Sequence, residues 1–385
     1  MTSPRQGGRR PIVGIVGAGQ LARMTLPAAI PLDVEIRLLA ERADDSAATM
    51  AKHVDIGSPS NLDDLRRFAA ACDILTFDHE LVDAVALLRL SDDGHVVRPS
   101  PDIVGLVQDK QRQREAMARL GLPIPAFAIL RDAESITEFA AQHGWPVIVK
   151  AIRGGYDGRG VWVIDDIDGA VVLFTEIGAT TPLLVEAWVP IEREVALIIA
   201  RRPNGETATF PLVETVQNDG ICRELRVPAE VDATIAAEAK RIATVIAADI
   251  ALEGLLAVEL FIAGGKVIVN ELAARPHNSG HFSIEGCGTS QFAQHLRAVL
   301  DWPLGDTGLM APVVMTVNLL GGNPAVDPRD RLPLALTLPR CYPQLYGKEH
   351  RPGRKLGHVT ALGEDRDETL ARARRCAAIL LGDED

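Results

Sequence analysis

Glu259 and Glu271 sit in two apolar runs, Val258-Glu259-Leu260-Phe261 and Val269-Asn270-Glu271-Leu272, on either side of Ala263-Gly264-Gly265. The pattern predicts a β-hairpin over 257–262 and 266–272. A carboxylate buried without a partner is costly. With a three-residue loop the two acids face each other, and directly opposed like charges destabilise a sheet. A divalent cation removes that repulsion. Mg²⁺ takes one or two carboxylates together with nucleotide phosphates, and Asn270 adds a neutral oxygen. A two-residue loop opposes Glu259 to Asn270 instead, and then solvated acids or a salt bridge to an arginine explain the pattern as well.

Arg275-Pro276-His277-Asn278-Ser279-Gly280-His281 follows the hairpin directly. Arg275 can hold an anion in bidentate fashion, and His277 or His281 can move a proton near neutral pH. Upstream, Gly154-Gly155-Tyr156-Asp157-Gly158-Arg159-Gly160 places four glycines in seven positions after a strand-like run ending in Lys150. Such a loop can fold its N–H groups over phosphates. A hairpin turn accounts for one or two of those glycines but not for four. A second loop, Gly17-Ala18-Gly19-Gln20-Leu21-Ala22, matches a dinucleotide fingerprint, with Glu41 where a ribose-binding acid would fall. A nicotinamide-dependent dehydrogenase is therefore one reading. The last cluster, 346–358, gathers Lys348, Arg351, Arg354 and Lys355 among Pro352 and three glycines. It suits a phosphate pocket as well as a solvated face. It lacks the interleaved aromatics of a nucleic-acid surface.

The elements that must position these residues alternate between strand-like and helix-like, as in α/β architecture. Strands are expected at 12–16, 34–39, 73–77, 146–150, 183–186, 194–200 and 313–319. Helices are expected from Gln20, at 102–120, 233–248, 291–300 and 368–381, with a boundary near Pro99-Ser100-Pro101. A chain of 385 residues suggests two or three domains, and 47% apolar residues provide a core. The net charge of −12 argues against a whole-protein nucleic-acid binder. Cys72, Cys222, Cys287, Cys341 and Cys376 are odd in number and form no CxxC pair, which speaks against a disulfide framework or a zinc site and fits a reducing compartment. The most apolar stretch, 242–269, is interrupted by Asp249, Glu253, Glu259 and Lys266, too often to span a bilayer. No secretory signal is read at the N-terminus. The expectation is a soluble cytoplasmic protein with no membrane or nucleic-acid partner.

Together, Gly17-Ala18-Gly19-Gln20-Leu21, the loop 154–160, Asn270-Glu271, 275–281, Ser290-Gln291-Phe292 and 351–358 closely resemble the 5-(carboxyamino)imidazole ribonucleotide synthase family of purine biosynthesis. These are ATP-grasp ligases, and the resemblance covers nearly the whole chain. It implies a mixed α/β and α+β molecule in three parts. A Rossmann-like (pre-ATP-grasp) domain would span 1–100, an ATP-grasp domain 101–308 with a lid over 122–185, and a small C-terminal domain 309–385. It implies ATP, bicarbonate and aminoimidazole ribonucleotide as substrates, Mg²⁺ as the metal, and a homodimer.

The same resemblance assigns roles. Lys110 and Lys150 would reach the ATP phosphates, and the loop 154–160 would close over them. Glu186, Ala187, Trp188 and Val189 would form the linker that reads adenine through backbone and side-chain groups. Glu194 would hold the ribose, and Gln217 would lie near the nucleotide. Glu259 and Glu271 would bind Mg²⁺ beside Asn270. Arg275 and His277 would hold the bicarbonate-derived group, and Asp157, His277 or released phosphate would act as base. Gln20, Glu80, Tyr156, Asp157, Arg159, Lys348, Arg354 and Lys355 would bind the ribonucleotide. Some positions depart from the family pattern. Asp78-His79-Glu80-Leu81 replaces Glu-Phe-Glu-Asn, Gln217 a histidine, Thr215 an asparagine, Ala274 a proline and Ala22 a glycine. None of these removes a metal or phosphate ligand, so an active ligase is expected. A non-catalytic nucleotide-binding regulator and a ligase for a related ribonucleotide are the other readings on this fold.

Overall fold

The computed structural model describes residues 9–155, 159–178, 180–322 and 326–384. Three sheets organise them. The first is a parallel sheet in the order His53–Ile56, Glu35–Ala40, Ile12–Val16, Ile74–Phe77. Apolar strands such as Ile12–Val16 bury both faces, as parallel sheets require. The edge strand His53–Ile56 is half-buried and carries two polar residues, so it gave no apolar signal in the sequence.

The helix expected over 102–120 is two helices, Pro101–Val107 and Lys110–Arg119. Asp109 divides them. Its carboxylate caps the second helix by accepting the Arg112 N–H at 3.0 Å. The Lys110 N–H turns outward to the Ile152 carbonyl at 2.9 Å. Lys110 and Arg114, one turn apart, therefore share a face.

The second sheet is antiparallel and small, ordered Phe127–Ile129, Leu183–Ala187, Val147–Ala151, Val161–Ile164. Its period is two. Val147 and Val149 are fully buried against helices Ala133–His143 and Ile167–Leu173, while Ile148 and Lys150 face the opposite side.

The third sheet has nine antiparallel strands. The path runs Lys266–Ala273, Gly254–Ala263, Arg193–Arg201, Val213–Asn218, Ile221–Val227, Val313–Leu320, Lys355–Gly363, Cys341–Leu345, with Thr207–Thr209 paired to Arg193–Arg201. Helix Ala233–Asp249 buries Ile242, Ala243 and Ile246 against Leu197, Leu256 and Val258. Each large aliphatic side chain so buried contributes roughly 1.5–3 kcal/mol. The sheet continues unbroken into the C-terminal strands, because Ile221–Val227 pairs with Val313–Leu320. Helix Arg366–Leu381 covers that end. Among the described residues no helix is long and apolar enough to cross a membrane.

Candidate active site

The acidic hairpin turns through Gly264 and Gly265, both at positive φ (+55° and +68°), with Ala263 opposite Lys266. That is a two-residue loop, the case in which Glu259 should face Asn270. It does not, because the register shifts after Leu260: Leu260 pairs with Val269, and Glu259 pairs with Glu271. Asn270 is the extra residue of a β-bulge. The bulge opposes the two carboxylates and brings Asn270 and Glu271, neighbours in sequence, to one cleft.

That cleft holds about 1050 Å³. It lies between the small sheet, the nine-stranded sheet and the first glycine loop. Lys110 Nζ sits 2.5 Å from Glu271 Oε1. Lys150 Nζ lies 2.8 Å from Glu186 Oε2 and 3.3 Å from Asn270 Oδ1. Arg114, which the sequence reading missed, bonds Glu186 Oε1 through Nε at 2.6 Å and the Asn270 carbonyl through Nη1 at 2.6 Å. Its sequence signal was the i, i+4 spacing from Lys110. Burial holds the Lys150 ammonium below its ordinary value although Glu186 opposes this. Burial alone would raise the Glu186 carboxyl, but Lys150 and Arg114 outweigh it and hold it down. Two cations thus share one carboxylate, leaving positive charge for an anion.

The Glu186 side chain is engaged by Arg114 and Lys150. Ala187, Trp188 and Val189 line the cleft, as do Glu194, Thr215 and Gln217.

The Glu259 carboxyl is pushed up to about 7, first by burial and then by Glu271 and Glu194, with Lys110 and Arg275 pulling the other way. A third of its side chain is open to the cleft. Burial likewise holds Glu194 above its ordinary value. Opposed acids of this kind are what a divalent cation relieves, so the donor set fits Mg²⁺. No group of three or more His, Cys, Asp or Glu converges among the described residues, so phosphate oxygens or water would complete the shell.

Beyond the hairpin, Arg275 Nε lies 2.7 Å from Glu80 Oε2. His277 Nδ1 lies 2.9 Å from Ser279 Oγ and 3.3 Å from the Ser279 backbone N, and its Nε2 faces Glu259 Oε1 at 3.4 Å. Burial, with Arg275 and Lys355, pushes the imidazole down to about 3. His277 is therefore neutral, with Nε2 on the cleft side. Gln291, fully buried, grips His277 from both backbone sides. Its Oε1 accepts the N–H at 2.9 Å, and its Nε2 donates to the carbonyl at 2.8 Å.

In the loop 154–160, Gly154 and Gly155 line the cleft. A Cβ on Gly155 would lie 2.8 Å from the Arg159 carbonyl oxygen and 3.8 Å from Lys110 Cε, so the loop base closes tightly beside that lysine. Gly160 holds φ +74° and its carbonyl accepts the Ala151 N–H. Arg159 and Gly160 stand outside the lining; Tyr156, Asp157 and Gly158 lie outside the described residues. At the far end Lys348 donates to Gln20 Oε1, and Gln20 and Lys355 line the cleft. Arg354 does not line it; its Nη1 donates to the Glu349 carbonyl at 3.3 Å.

In the first glycine loop the N–H groups of both glycines are already taken, that of Gly17 by the Leu39 carbonyl at 2.9 Å. Asp78, 5% exposed, accepts the Gly19 N–H with its own carboxylate. A Cβ on Gly17 would stand 1.9 Å from Asp78 Oδ1. The glycines make room for an internal carboxylate at the helix N-terminus, where a dinucleotide pyrophosphate would sit. The fingerprint therefore does not support the dehydrogenase reading.

The model of the ATP-grasp domain matches residues 115–292, that of the ribonucleotide synthetase preATP-grasp domain residues 11–108, and that of the phosphoribosylaminoimidazole carboxylase C-terminal domain residues 314–372. The N5-carboxyaminoimidazole ribonucleotide synthase of Mycobacterium tuberculosis is 46% identical over 95% of this chain and 87% of its own length. That of Corynebacterium ammoniagenes is 41% identical over 96% of this chain and 92% of its own. The N5-carboxyaminoimidazole synthase of Aspergillus clavatus, solved with ADP and 5-aminoimidazole ribonucleotide, is 28% identical with a TM-score of 0.87, covering 96% of this chain and 98% of that one. By its domain order, its length-wide identity and the cleft those domains enclose, the chain belongs to the N5-carboxyaminoimidazole ribonucleotide synthase family of ATP-grasp ligases.

Proposed function

We propose that the chain joins bicarbonate to the amine of 5-aminoimidazole ribonucleotide at the expense of ATP. The products are N5-carboxyaminoimidazole ribonucleotide, ADP and phosphate, formed through carboxyphosphate. The observation that carries this reading is the continuity of one cleft. It runs from Lys110 and Lys150, past Glu259 and Glu271, to Arg275 and His277, and ends at Gln20 and Lys355.

The adenine ring would lie between Ile148 and Val163 of the small sheet and Phe261 of the hairpin, all of which line the cleft. Lys110 and Lys150 would take the phosphates, exchanging their present carboxylate partners for phosphate oxygens. Glu259, Glu271 and Asn270 would hold Mg²⁺, which supplies charge neutralisation at the transferring phosphoryl group. Bicarbonate oxygen attacks the γ-phosphorus, the bond to ADP breaks, and carboxyphosphate forms. Arg275 would hold its anionic end and the His277 Nε2–H would donate to it. The amine then attacks the carboxyl carbon, or CO₂ released there, and phosphate departs. With His277 acting as donor, the amine proton falls to Asp157 or to the departing phosphate.

Gln20, Glu80, Tyr156, Arg159, Lys348, Arg354 and Lys355 are the proposed ribonucleotide contacts. Arg354 would have to release the Glu349 carbonyl to take part. A cytoplasmic homodimer is proposed from the resemblance, with light scattering as its check.

The test is ADP release with ATP, Mg²⁺ and bicarbonate, with and without the ribonucleotide. Stimulation by the ribonucleotide that also requires bicarbonate supports the ligase. Folded protein that shows no stimulation refutes it.

A further inference from the structure

At the cleft wall, which His281 helps to line, stands a buried polar assembly whose His358 and Tyr346 the assignments above leave unused. His281 and His358 stack with ring centroids 4.9 Å apart and planes 24° apart. His358 Nδ1 shares a 2.7 Å hydrogen bond with the Tyr346 hydroxyl, and His281 Nδ1 lies 3.1 Å from Gln291 Nε2. All four side chains are at most 1% exposed. Burial keeps both imidazoles neutral, His358 pushed down to about 3, so the stack carries no charge repulsion.

The assembly joins all three parts of the chain. Gln291 grips the backbone of His277. The Tyr346 ring packs on Leu21 and Met24, from the helix that begins at Gln20, and on Phe292. Lys348, which donates to Gln20, stands 5.8 Å from the centre of that ring. The strand Lys355–Gly363 supplies the last link. Leu320 pairs with Lys355 and Leu319 with Gly357, so Leu356 is the extra residue of a bulge. The bulge brings Lys355 onto the face that carries His358. Simple packing would not select this ring: His358 Nε2 is buried with no partner among the described residues, a cost that phenylalanine would avoid.

We propose that His358 is a positioning residue for the ribonucleotide. Through His281 and Tyr346 it sets the Lys355 and Lys348 cations in register with the Arg275–His277 loop, so that the amine meets the activated carboxyl group. The proposal rests on the ligase reading above.

Tyr346→Phe and His358→Phe each keep a ring in place and remove the same hydrogen bond. His358→Leu removes the stack as well. The readout is ribonucleotide-stimulated ADP release, titrated separately in ribonucleotide and in ATP. A buried neutral hydrogen bond implies about a threefold to tenfold rise in the half-saturating ribonucleotide concentration for each Phe variant. The double Phe variant should be no worse than either single one, and His358→Leu should be worse than both. The KM for ATP should stay within about twofold, whereas a general loss of folding lowers turnover and leaves the ribonucleotide titration midpoint in place. Wild-type ribonucleotide midpoints in both Phe variants, or equal shifts for ribonucleotide and ATP, overturn the proposal. If the wild-type protein itself shows no ribonucleotide stimulation, the ligase reading falls and takes this proposal with it.

Discussion

Glu186→Gln is the sharpest test of how the nucleotide end is built. The Glu186 side chain is 3% exposed, with Arg114 Nε at 2.6 Å and Lys150 Nζ at 2.8 Å. At an effective dielectric of about 20, each contact is worth roughly 6 kcal/mol before desolvation is subtracted. Removing one member of such a buried group costs about 3–5 kcal/mol, because the remaining charges stay uncompensated. An exposed pair would cost at most about 1 kcal/mol. The glutamine amide cannot satisfy both cations, so a loss near 3 kcal/mol is expected, or a fall of roughly 4 °C in melting temperature for a chain of 385 residues. Thermal melts followed by tryptophan fluorescence suit the question, since Trp162 lies within the small sheet and Trp188 follows its Leu183–Ala187 strand. Saturating ATP should stabilise the variant more than the wild type, because its phosphates return negative charge to Lys150. The sign with pH follows from the lowered Glu186 carboxyl. Its contribution is present above the ordinary value of 4.5 and is lost as pH falls through the lower folded value. The two proteins should therefore converge in acid. A neutral-pH melt within 2 °C of wild type would refute the claim that this carboxylate anchors both cations.

Three further outcomes are expected. Glu271→Gln should lower turnover by about a hundredfold or more and alter the Mg²⁺ dependence while the melt stays near wild type; unchanged steady-state turnover removes Glu271 from the metal site. Gly17→Ala forces a side chain at φ +107° and 1.9 Å from Asp78 Oδ1, and should cost about 1–3 kcal/mol in a urea melt. Asp78→Ala in the same chain should recover part of that loss, and strict additivity would show that the carboxylate is not what the glycine accommodates. His295, held neutral by burial at about 4 and bonded to Thr76 Oγ1 at 2.7 Å, binds its proton more readily when unfolded. It should make the chain lose stability as pH falls from about 6.5 toward 4. His295→Gln should make that limb shallower in urea midpoints taken across the range, with His277, His281 and His358 keeping the rest of it, and an unchanged slope would exclude His295 as a contributor.

The chemistry-bearing residues were legible because their types are expensive where they stand. Acids inside apolar strands, and four glycines in seven positions, have few inexpensive explanations. Most elements followed from period and punctuation. What stayed hidden was set by contacts between distant segments. The break at Asp109 depends on an Ile152 carbonyl supplied by another sheet. Arg114 looked like an ordinary helix residue until Glu186 reached it from 72 positions away. The first glycine loop misled for the same reason: its partner, Asp78, lies 59 residues from Gly19, and local pattern cannot tell an internal carboxylate from a ligand's phosphate.

The register of the large sheet follows the same rule and ties it to function. It shifts at three places, between Glu259 and Leu260, between Val216 and Gln217, and between Leu319 and Leu320. Each lies beside cleft residues: the acidic pair, Gln217 with Cys222, and Lys355. In a regular strand adjacent residues point to opposite faces, so one long sheet could offer the cleft only every second side chain. An extra residue resets the alternation at one point and leaves the rest of the core in place. Asn270 and Glu271 need such a reset to serve one site, and Lys355 needs one to share a face with His358. Deleting Asn270 should therefore cost more activity than replacing it with alanine. The deletion leaves Glu259 opposite Glu271 but removes the bulge and the Asn270 carbonyl that Arg114 holds, while the substitution removes only the side-chain oxygen. Equal activity in the two variants, measured as ADP release by folded protein, would show that the bulge and its carbonyl add nothing to the site beyond the Asn270 side chain.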